Sequence, residues 1–162
     1  MLDEITQAVL AREEVARYLC GEITHVQAFE THQIMQRLHP DASAADAAVA
    51  NLRFASGAVG NISNTYMLGA GGGSGLNVVA HDFRLEVSGD HLQWWSPEDS
   101  GEATNAVNGY AAEVEAFLQA VETGDRSDLH SDYADAYRTL AVTEAANLSG
   151  QRGGEVIEVA GM

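Results

Sequence analysis

The sequence predicts an α+β domain with a large, mostly antiparallel β-sheet, helices packed on one sheet face and the other face available for dimerisation. Residues 49–95 form successive extended segments separated by glycine-containing turns. Residues 110–148 then carry two amphipathic helical patterns. Because 162 residues suffice to bury one core, we expect a single domain spanning residues 1–162.

The first predicted element is a helix. Asp3 can cap a helix that runs to Leu19, and Gly21 stands where a left-handed C-cap is expected. The apolar stripe of this helix consists of Ile5, Ala8, Val9, Ala16 and Leu19. Residues 22–32 alternate and predict the first strand, and residues 33–48 are predicted as a loop.

Strand patterns dominate the middle of the chain. They cover residues 49–54, 58–67, 76–80, 82–87 and 91–95. Gly57 lies between the first two segments and predicts a β-hairpin. Residues 82–87 alternate between apolar and charged side chains, which is typical of a strand with one buried face. Residues 96–103 are predicted as a polar loop, because Pro97 does not continue a strand.

Two helices and a short strand, residues 155–159, complete the predicted order. The first helix ends at Gly124, and its docking face consists of Tyr110, Val114, Phe117, Leu118 and Val121. If Phe117 packs between helix and sheet, its replacement by alanine should cost about 3 to 5 kcal/mol of stability. The second helix is expected from a Ser131 cap to Leu148, with Tyr133, Tyr137, Leu140, Ala141 and Leu148 among its apolar positions.

The charge balance excludes several kinds of chemistry. The chain has 24 acidic residues, eight arginines and no lysine, for a net charge of −16. The absence of lysine excludes a Schiff-base lysine and a Walker-type phosphate lysine within this chain, and the acidity argues against nucleic acid as a partner. The acidity itself has two interpretations: solubility, or adaptation to high salt, where counterions screen the self-repulsion.

The expected location is the cytoplasm. Cys20 is the single cysteine and cannot form an internal disulfide, so the chain gives no sign of an oxidising compartment. No signal-like N-terminus and no run of about 18 apolar residues occurs, so no membrane partner is expected.

Two site-like patterns have simpler structural explanations. Residues 69–75 are glycine-rich, but they lack the spacing of a dinucleotide loop and precede a strand instead of a helix, so we interpret them as a flexible connection. The six histidines show no paired metal-ligand spacing, and no metal site is predicted.

Apolar side chains on the strands predict an interface. They exceed what a solvated sheet face normally shows, so we expect a homodimer formed through the sheet face. The interface candidates are Val59, Val79, Leu85 and Trp95. Trp94 and Trp95 point to opposite faces of an extended strand, so one would belong to the core and the other to an interface or a pocket.

Five phrases in fixed order indicate a family. They are ARYLCGEI (16–23), LRFASGAVG (52–60), FRLEVSGD (83–90), EVEAFLQAV with TGD (113–121, 123–125) and AVTEAANLS (141–149). Together the phrases resemble the C-terminal domain of the glucose-fructose oxidoreductase, inositol dehydrogenase and MocA family (Gfo/Idh/MocA). The resemblance implies an α+β domain whose sheet carries part of a substrate site and the subunit interface.

The departures from the family pattern bear on catalysis. The family implies an N-terminal Rossmann domain for the nicotinamide cofactor and a Glu-Lys-Pro segment; we expect the first to be absent here, and the chain has no lysine. The family's aspartate and histidine positions correspond to Gln7 and Ala11, neither of which is a general acid or base at neutral pH. Residues 1 to about 13 fit the family pattern poorly. Truncation, a replaced N-terminus or divergence after loss of activity would each explain this poor fit.

Three functions follow as hypotheses. The first is a substrate-binding and oligomerisation domain that is not catalytic on its own and binds no cofactor, with NAD(P) held only by a full-length relative or a partner chain. The second is a subunit of an NAD(P)-dependent sugar or polyol dehydrogenase, completed by a separate Rossmann-domain chain. The third is a noncatalytic scaffolding dimer. For the first two, the candidate pocket residues are His32, His81 and Trp94.

Overall fold

The computed structural model describes residues 13–41, 45–65, 67 and 73–159. In chain order the elements are α1 (described residues 13–20), β1 (Ile23–Thr31), α2 (Met35–Leu38), β2 (Ala47–Phe54), β3 (Val59–Thr65), β4 (Gly75–Ala80), β5 (Phe83–Ser88), β6 (His91–Trp95), β7 (Ser100–Thr104), α3 (Gly109–Thr123), α4 (Tyr133–Gln151) and β8 (Ile157–Glu158). The chain divides into two compact units, residues 1–69 with 131–162 and residues 70–130. The predicted α+β class with antiparallel strands is confirmed, with the strands divided between two four-stranded sheets.

The first unit contains an antiparallel sheet in the order β3-β2-β1-β8. The predicted hairpin is present, and Gly57 makes its turn with a φ of 88° and an N–H that donates to the Phe54 carbonyl at 3.0 Å. Helices α1 and α4 pack on one face of this sheet. The core between them consists of Ala16, Ile23, Val26, Ala28, Ala50, Leu52, Phe54, Val142, Ala145 and Val159.

Helix α1 ends where the sequence predicts. The Gly21 N–H donates to the Arg17 carbonyl at 2.9 Å, and its φ of 89° gives the left-handed cap. Ala16 is buried as expected, but Leu19 is 42% exposed, so its place in the docking stripe is wrong. The proposed Asp3 cap and the stripe residues Ile5, Ala8 and Val9 lie outside the described residues.

Helix α4 packs through a face that the sequence identifies only in part. Of the predicted stripe, Tyr133, Tyr137 and Leu140 are exposed, whereas Ala141 and Leu148 are partly buried and Ala141 packs against the core. The fully buried residues of the helix are Thr139, Val142, Thr143, Ala145 and Ser149. Small side chains let the helix approach β1 closely, which large aromatic side chains would prevent. The helix is capped by the Asp132 carboxylate, which accepts from the Asp135 N–H, and the predicted Ser131 cap is wrong.

Two predicted loops contain regular structure. Residues 35–38 form the short helix α2, in which no residue is buried. Residues 100–104 form β7, which pairs with β6 as an edge strand of the second sheet, so the prediction of a loop over 96–103 is wrong beyond Asp99. Edge strands carry polar residues freely, and β7 therefore lacks the apolar alternation that identifies a half-buried strand.

The second unit contains an antiparallel sheet in the order β4-β5-β6-β7, together with α3. Helix α3 has the expected glycine end, with Gly124 at a φ of 76°. Its apolar stripe is not buried: Phe117 is 58% and Tyr110 84% exposed, and α3 has no buried residue. The expectation that this stripe forms a core contact is therefore wrong for the chain as described, because periodicity shows that a stripe exists and not what covers it.

Candidate functional site

His32, at the end of β1, lies in a polar group of the first unit. Its Nε2 is 3.3 Å from Glu30 Oε1, and its buried Nδ1 has no hydrogen-bond partner among the described residues. The Asp46 carboxylate is fully buried and accepts from the Ile34 and Met35 N–H groups, both at 2.6 Å. Burial opposes ionisation of Asp46, but these donors and the nearby His32 outweigh it and hold its pKa below the usual range.

The other two pocket candidates belong to the second unit. His81 lies in the turn between β4 and β5, where its Nε2 is 3.3 Å from Asp82 Oδ2 and its side chain is almost fully exposed. Trp94, on β6, donates from Nε1 to Asp99 Oδ2 at 3.0 Å. Its indole ring covers Gly101 so closely that an added Cβ would lie 2.4 Å from Trp94 Cζ2. Only glycine therefore allows Trp94 to hold this position.

A groove lies across β5, β6 and β7 of the second sheet. Its volume is about 390 Å³, and it is lined by Arg84, Glu86, Gln93, Trp94, Trp95, Ser100, Gly101 and Glu102. Antiparallel register places Arg84, Trp95 and Ser100 in one row of the more exposed face of this sheet, with Glu86, Gln93 and Glu102 in the next. Arg84 and Glu86 form an ion pair, and Trp95 is 52% exposed beside them.

The polar residues of this groove are not among the site residues predicted from the sequence. The alternation of residues 82–87 places Arg84 and Glu86 on one face of a strand, and this pattern could have identified the two residues as neighbours. The residues opposite them on β6 and β7 depend on register, which the sequence does not determine. The same register places the His81 turn at the end of the sheet that carries Trp95.

The four interface candidates are divided between the two sheets. Val59 lies on β3 of the first sheet and is 79% exposed. On the second sheet, Val79 and Trp95 flank Arg84 on the more exposed face, where Val79 is 75% exposed. Leu85 pairs with Val78 and Trp94 and therefore points to the opposite face.

A buried arginine organises the charged groups of the first unit. Arg17 is 6% exposed and donates two hydrogen bonds to the Glu22 carboxylate, at 2.9 and 3.0 Å, and one to Asp135 Oδ1 at 2.7 Å. Its Nη1 also donates to Thr139 Oγ1 at 2.6 Å. The hydrogen bonds from Arg17 lower the pKa of both carboxyl groups, which therefore stay ionised well into the acidic range.

The helices that start in the described part of the chain offer no open N-terminus for a phosphate. Asn108 caps α3, Asp132 caps α4, and the Asp46 carboxylate occupies the first amides of α2. A dinucleotide pyrophosphate needs free N–H groups at such a position. The starts of α2, α3 and α4 are therefore not arranged as cradles for a dinucleotide pyrophosphate.

The part of the chain that the structure describes contains neither a metal-binding cluster nor a membrane-spanning helix. Over the described ranges, no group of three or more His, Cys, Asp or Glu side chains could hold a metal ion. None of the helices in that part of the chain has the length and apolar composition needed to span a bilayer.

Comparison with protein families places this fold. The family described as the GFO/IDH/MocA C-terminal domain matches residues 14–94, which are 81 of the 162 residues. The chain belongs to this family. Comparison with curated proteins found no match. The Gfo/Idh/MocA match covers α1 and β1 to β6 and thus includes residues of both units.

Solved structures of oxidoreductases share the Gfo/Idh/MocA C-terminal fold. Levoglucosan dehydrogenase in complex with NADH and levoglucosan superposes with a TM-score of 0.79 at 19% identity, covering 99% of this chain and 50% of that one. An Agrobacterium radiobacter oxidoreductase in complex with NAD⁺, L-tartaric acid and magnesium gives 0.75 at 15% identity, covering 98% and 49%. A Thermotoga maritima oxidoreductase gives 0.72 at 23% identity, covering 95% and 43%. The chain spans about half the length of these relatives.

Proposed function

We propose that this chain is the substrate-binding and oligomerisation domain of a Gfo/Idh/MocA oxidoreductase, and that it does not catalyse hydride transfer on its own. The observation that carries the proposal is the match of nearly the whole chain to one half of levoglucosan dehydrogenase. The lack of lysine and the presence of Gln7 and Ala11 at the family's acid–base positions support the noncatalytic part. The unpaired Cys20 agrees with a cytoplasmic location.

The substrate part of the proposal concerns a small sugar or polyol. The exposed face of Trp95 offers a flat apolar surface to the C–H side of a sugar ring. Arg84, Gln93 and Glu102 surround it with the donors and acceptors that hydroxyl groups need. The groove volume of about 390 Å³ lies within the usual range for small-molecule sites. Trp94, with His81 at the same end of the sheet, would border this site, and His32 remains a separate candidate in the first unit.

The first experiment is a calorimetric titration of the purified chain with NADH and NADPH, followed by D-glucose, D-xylose and myo-inositol. We expect no saturable heat with either dinucleotide and saturable binding of at least one polyol. Trp95→Ala should weaken that binding by about tenfold or more, because it removes the apolar platform. Val79→Ala is the matched control, since Val79 is exposed on the same face but does not line the groove.

Each result has a clear meaning. Saturable dinucleotide binding would contradict the proposal that this chain binds no cofactor. Polyol binding that survives Trp95→Ala would place the site elsewhere in the chain, with the His32 group as the next candidate. If no member of the panel binds, the scaffolding dimer becomes the better interpretation.

The oligomerisation part predicts a homodimer that persists when salt is raised. Exposed apolar side chains on the sheets, such as Val59, would be covered by a second copy, and a stable interface would bury on the order of 1,600 Å². Because each subunit has a charge of −16, salt should screen the repulsion between the two copies. Sedimentation velocity at about 0.1 M and about 2 M KCl should show the dimer at both concentrations. Dissociation at the higher concentration would contradict an apolar contact.

A second candidate function follows from the length of the match. Because the chain spans about half of each relative, a separate Rossmann-domain chain could complete an NAD(P)-dependent sugar or polyol dehydrogenase. Mixing the two purified chains should then produce dehydrogenase activity that neither chain has alone. Activity that appears only on mixing would support the interpretation as a dehydrogenase subunit over that as a noncatalytic domain.

A further inference from the structure

The groove on the second sheet carries more negative than positive charge. Its lining contains two carboxylates, Glu86 and Glu102, and one guanidinium, Arg84. Arg84 is already paired with Glu86, so Glu102 supplies a negative charge that the other lining residues do not neutralise. The rest of the second unit has the same sign, because residues 70–130 contain eleven acidic residues and two arginines. The groove should therefore attract a cation and repel an anion.

Strand register sets the spacing of the charged groups. Gln93 pairs with Glu86 on one side and with Glu102 on the other. Because neighbouring strands are about 4.8 Å apart, the two acids project from backbone positions roughly 10 Å apart, with the Gln93 amide between them. Trp95 follows two residues later on the same face and is diagonal to both acids, a separation that long side chains can bridge. One six-membered sugar ring fits in this space.

The exposed indole of Trp95 adds a second attraction for cations. The face of a tryptophan ring is electrostatically negative and attracts an ammonium group that lies over it. The diagonal neighbour Glu102 is largely exposed, so a ligand beside the ring has access to its carboxylate. His91 Nε2 lies 3.6 Å from Glu102 Oε2, and a protonated His91 would compete with the ligand for this carboxylate. An ammonium group between the Trp95 ring and Glu102 would be attracted by both.

We propose that the groove selects a protonated amino sugar over the neutral sugar of the same shape, with the ring on Trp95 and the ammonium group bound to Glu102. The inference rests on the proposed substrate-binding function and adds the class of substrate. Gln93 and Ser100 would serve the remaining hydroxyl groups as donors and acceptors. Because an ion pair in an exposed site is weak, we expect a preference of about fivefold at low salt.

The test compares four ligands on the full chain at pH 7: D-glucosamine, D-glucose, N-acetyl-D-glucosamine and D-glucuronate. Tryptophan fluorescence is a local readout, because both tryptophans of the chain line the groove. D-Glucosamine should bind about fivefold more tightly than D-glucose. The uncharged N-acetyl derivative should lose this advantage, and the anionic D-glucuronate should bind most weakly.

Salt and charge variants identify the source of the preference. Raising KCl from about 0.02 M to about 0.5 M should reduce the D-glucosamine to D-glucose affinity ratio to below about two, because screening shortens the range of the attraction. Glu102→Gln should bring the ratio to about one, whatever its effect on D-glucose itself. Arg84→Gln should raise the ratio, because it frees Glu86. Glu113→Gln is the matched control: it removes the same charge from α3, outside the groove lining, and should leave the ratio near the wild-type value.

The outcomes separate this inference from the substrate-binding proposal. Equal binding of D-glucosamine and D-glucose would overturn the amino-sugar inference and leave the substrate-binding proposal intact. Tightest binding of D-glucuronate would also overturn the inference, because Arg84 would then determine the preferred charge. An unchanged ratio in Glu102→Gln would overturn it as well, since the preference would arise elsewhere. If none of the four ligands binds, both proposals fail.

Discussion

Replacement of Phe54 by alanine is expected to lower the free energy of unfolding by about 3 to 5 kcal/mol. Phe54 is 4% exposed at the end of β2 and belongs to the core of the first unit. Its ring lies over Gly60, where an added Cβ would be 3.1 Å from Phe54 Cε2. Removal of the ring would leave a cavity in the core over Gly60, because glycine has no side chain to fill it and the hydrogen-bonded strands hold the backbone in place. Urea denaturation with a circular dichroism readout would measure the loss.

The matched control is Phe117→Ala on α3, for which the sequence predicts the same large loss. Because Phe117 is 58% exposed, we now expect its replacement to cost less than about 1 kcal/mol. The two variants remove the same atoms and differ only in burial. Equal losses would mean that the α3 stripe is covered in solution, and a dimer measured in the same samples would identify a second copy as the cover.

Replacement of Arg17 by methionine is expected to cost about 2 to 4 kcal/mol near neutral pH. The change preserves much of the apolar stem but leaves Glu22 and Asp135 close together without the guanidinium that neutralises both. Breaking a fully buried pair costs more, and the partial exposure of the two carboxylates reduces the loss here. Thermal denaturation at pH 7 would measure the effect.

The pH dependence of this loss identifies its cause. Hydrogen bonds from Arg17 lower the pKa of Glu22 and Asp135 in the folded chain, so their stabilisation is present above the unfolded values and is lost as pH falls through the folded ones. The difference between wild type and Arg17→Met should therefore shrink below about pH 4. Arg138→Met is the control, because Arg138 is half exposed and 3.6 to 3.7 Å from the same acids. Arg138→Met should lower the free energy of unfolding by less than about 1 kcal/mol. A loss equal to that of Arg17→Met would show that Arg17 has no special role.

Features of the fold that depend on neighbouring residues could be predicted from the sequence. Gly21, Gly57 and Gly124 all have positive φ values, as the predicted helix ends and hairpin turn require. Period-two alternation located β1, β2, β3 and β5, because a strand with one wet face must alternate whatever it packs against. The family could also be predicted, because its five phrases are local strings of residues.

The candidate site could be predicted only in part. The Trp94–Trp95 pair was located as one tryptophan on each face, which follows from the strand pattern alone. The row that joins Trp95 to Arg84 and Ser100 depends on the register of three strands, and a shift of one residue would turn every side chain to the other face. Strand pairing therefore determines which residues line the polar groove, and the sequence alone does not.

The buried faces of the helices show most clearly what the sequence determines and what only the tertiary structure determines. The sequence by itself predicts a helix from Ser131 to Leu148, close to the observed Tyr133–Gln151, because propensity and periodicity act within a few turns. Tertiary structure decided that Thr139, Thr143 and Ser149 are buried instead of Tyr133 and Tyr137. Close approach to β1 requires small side chains, and the hydroxyl of Ser149 accepts from the Ala28 N–H at 2.8 Å. The same contact between α1 and α4 encloses Glu13, whose burial results from packing between residues 130 positions apart.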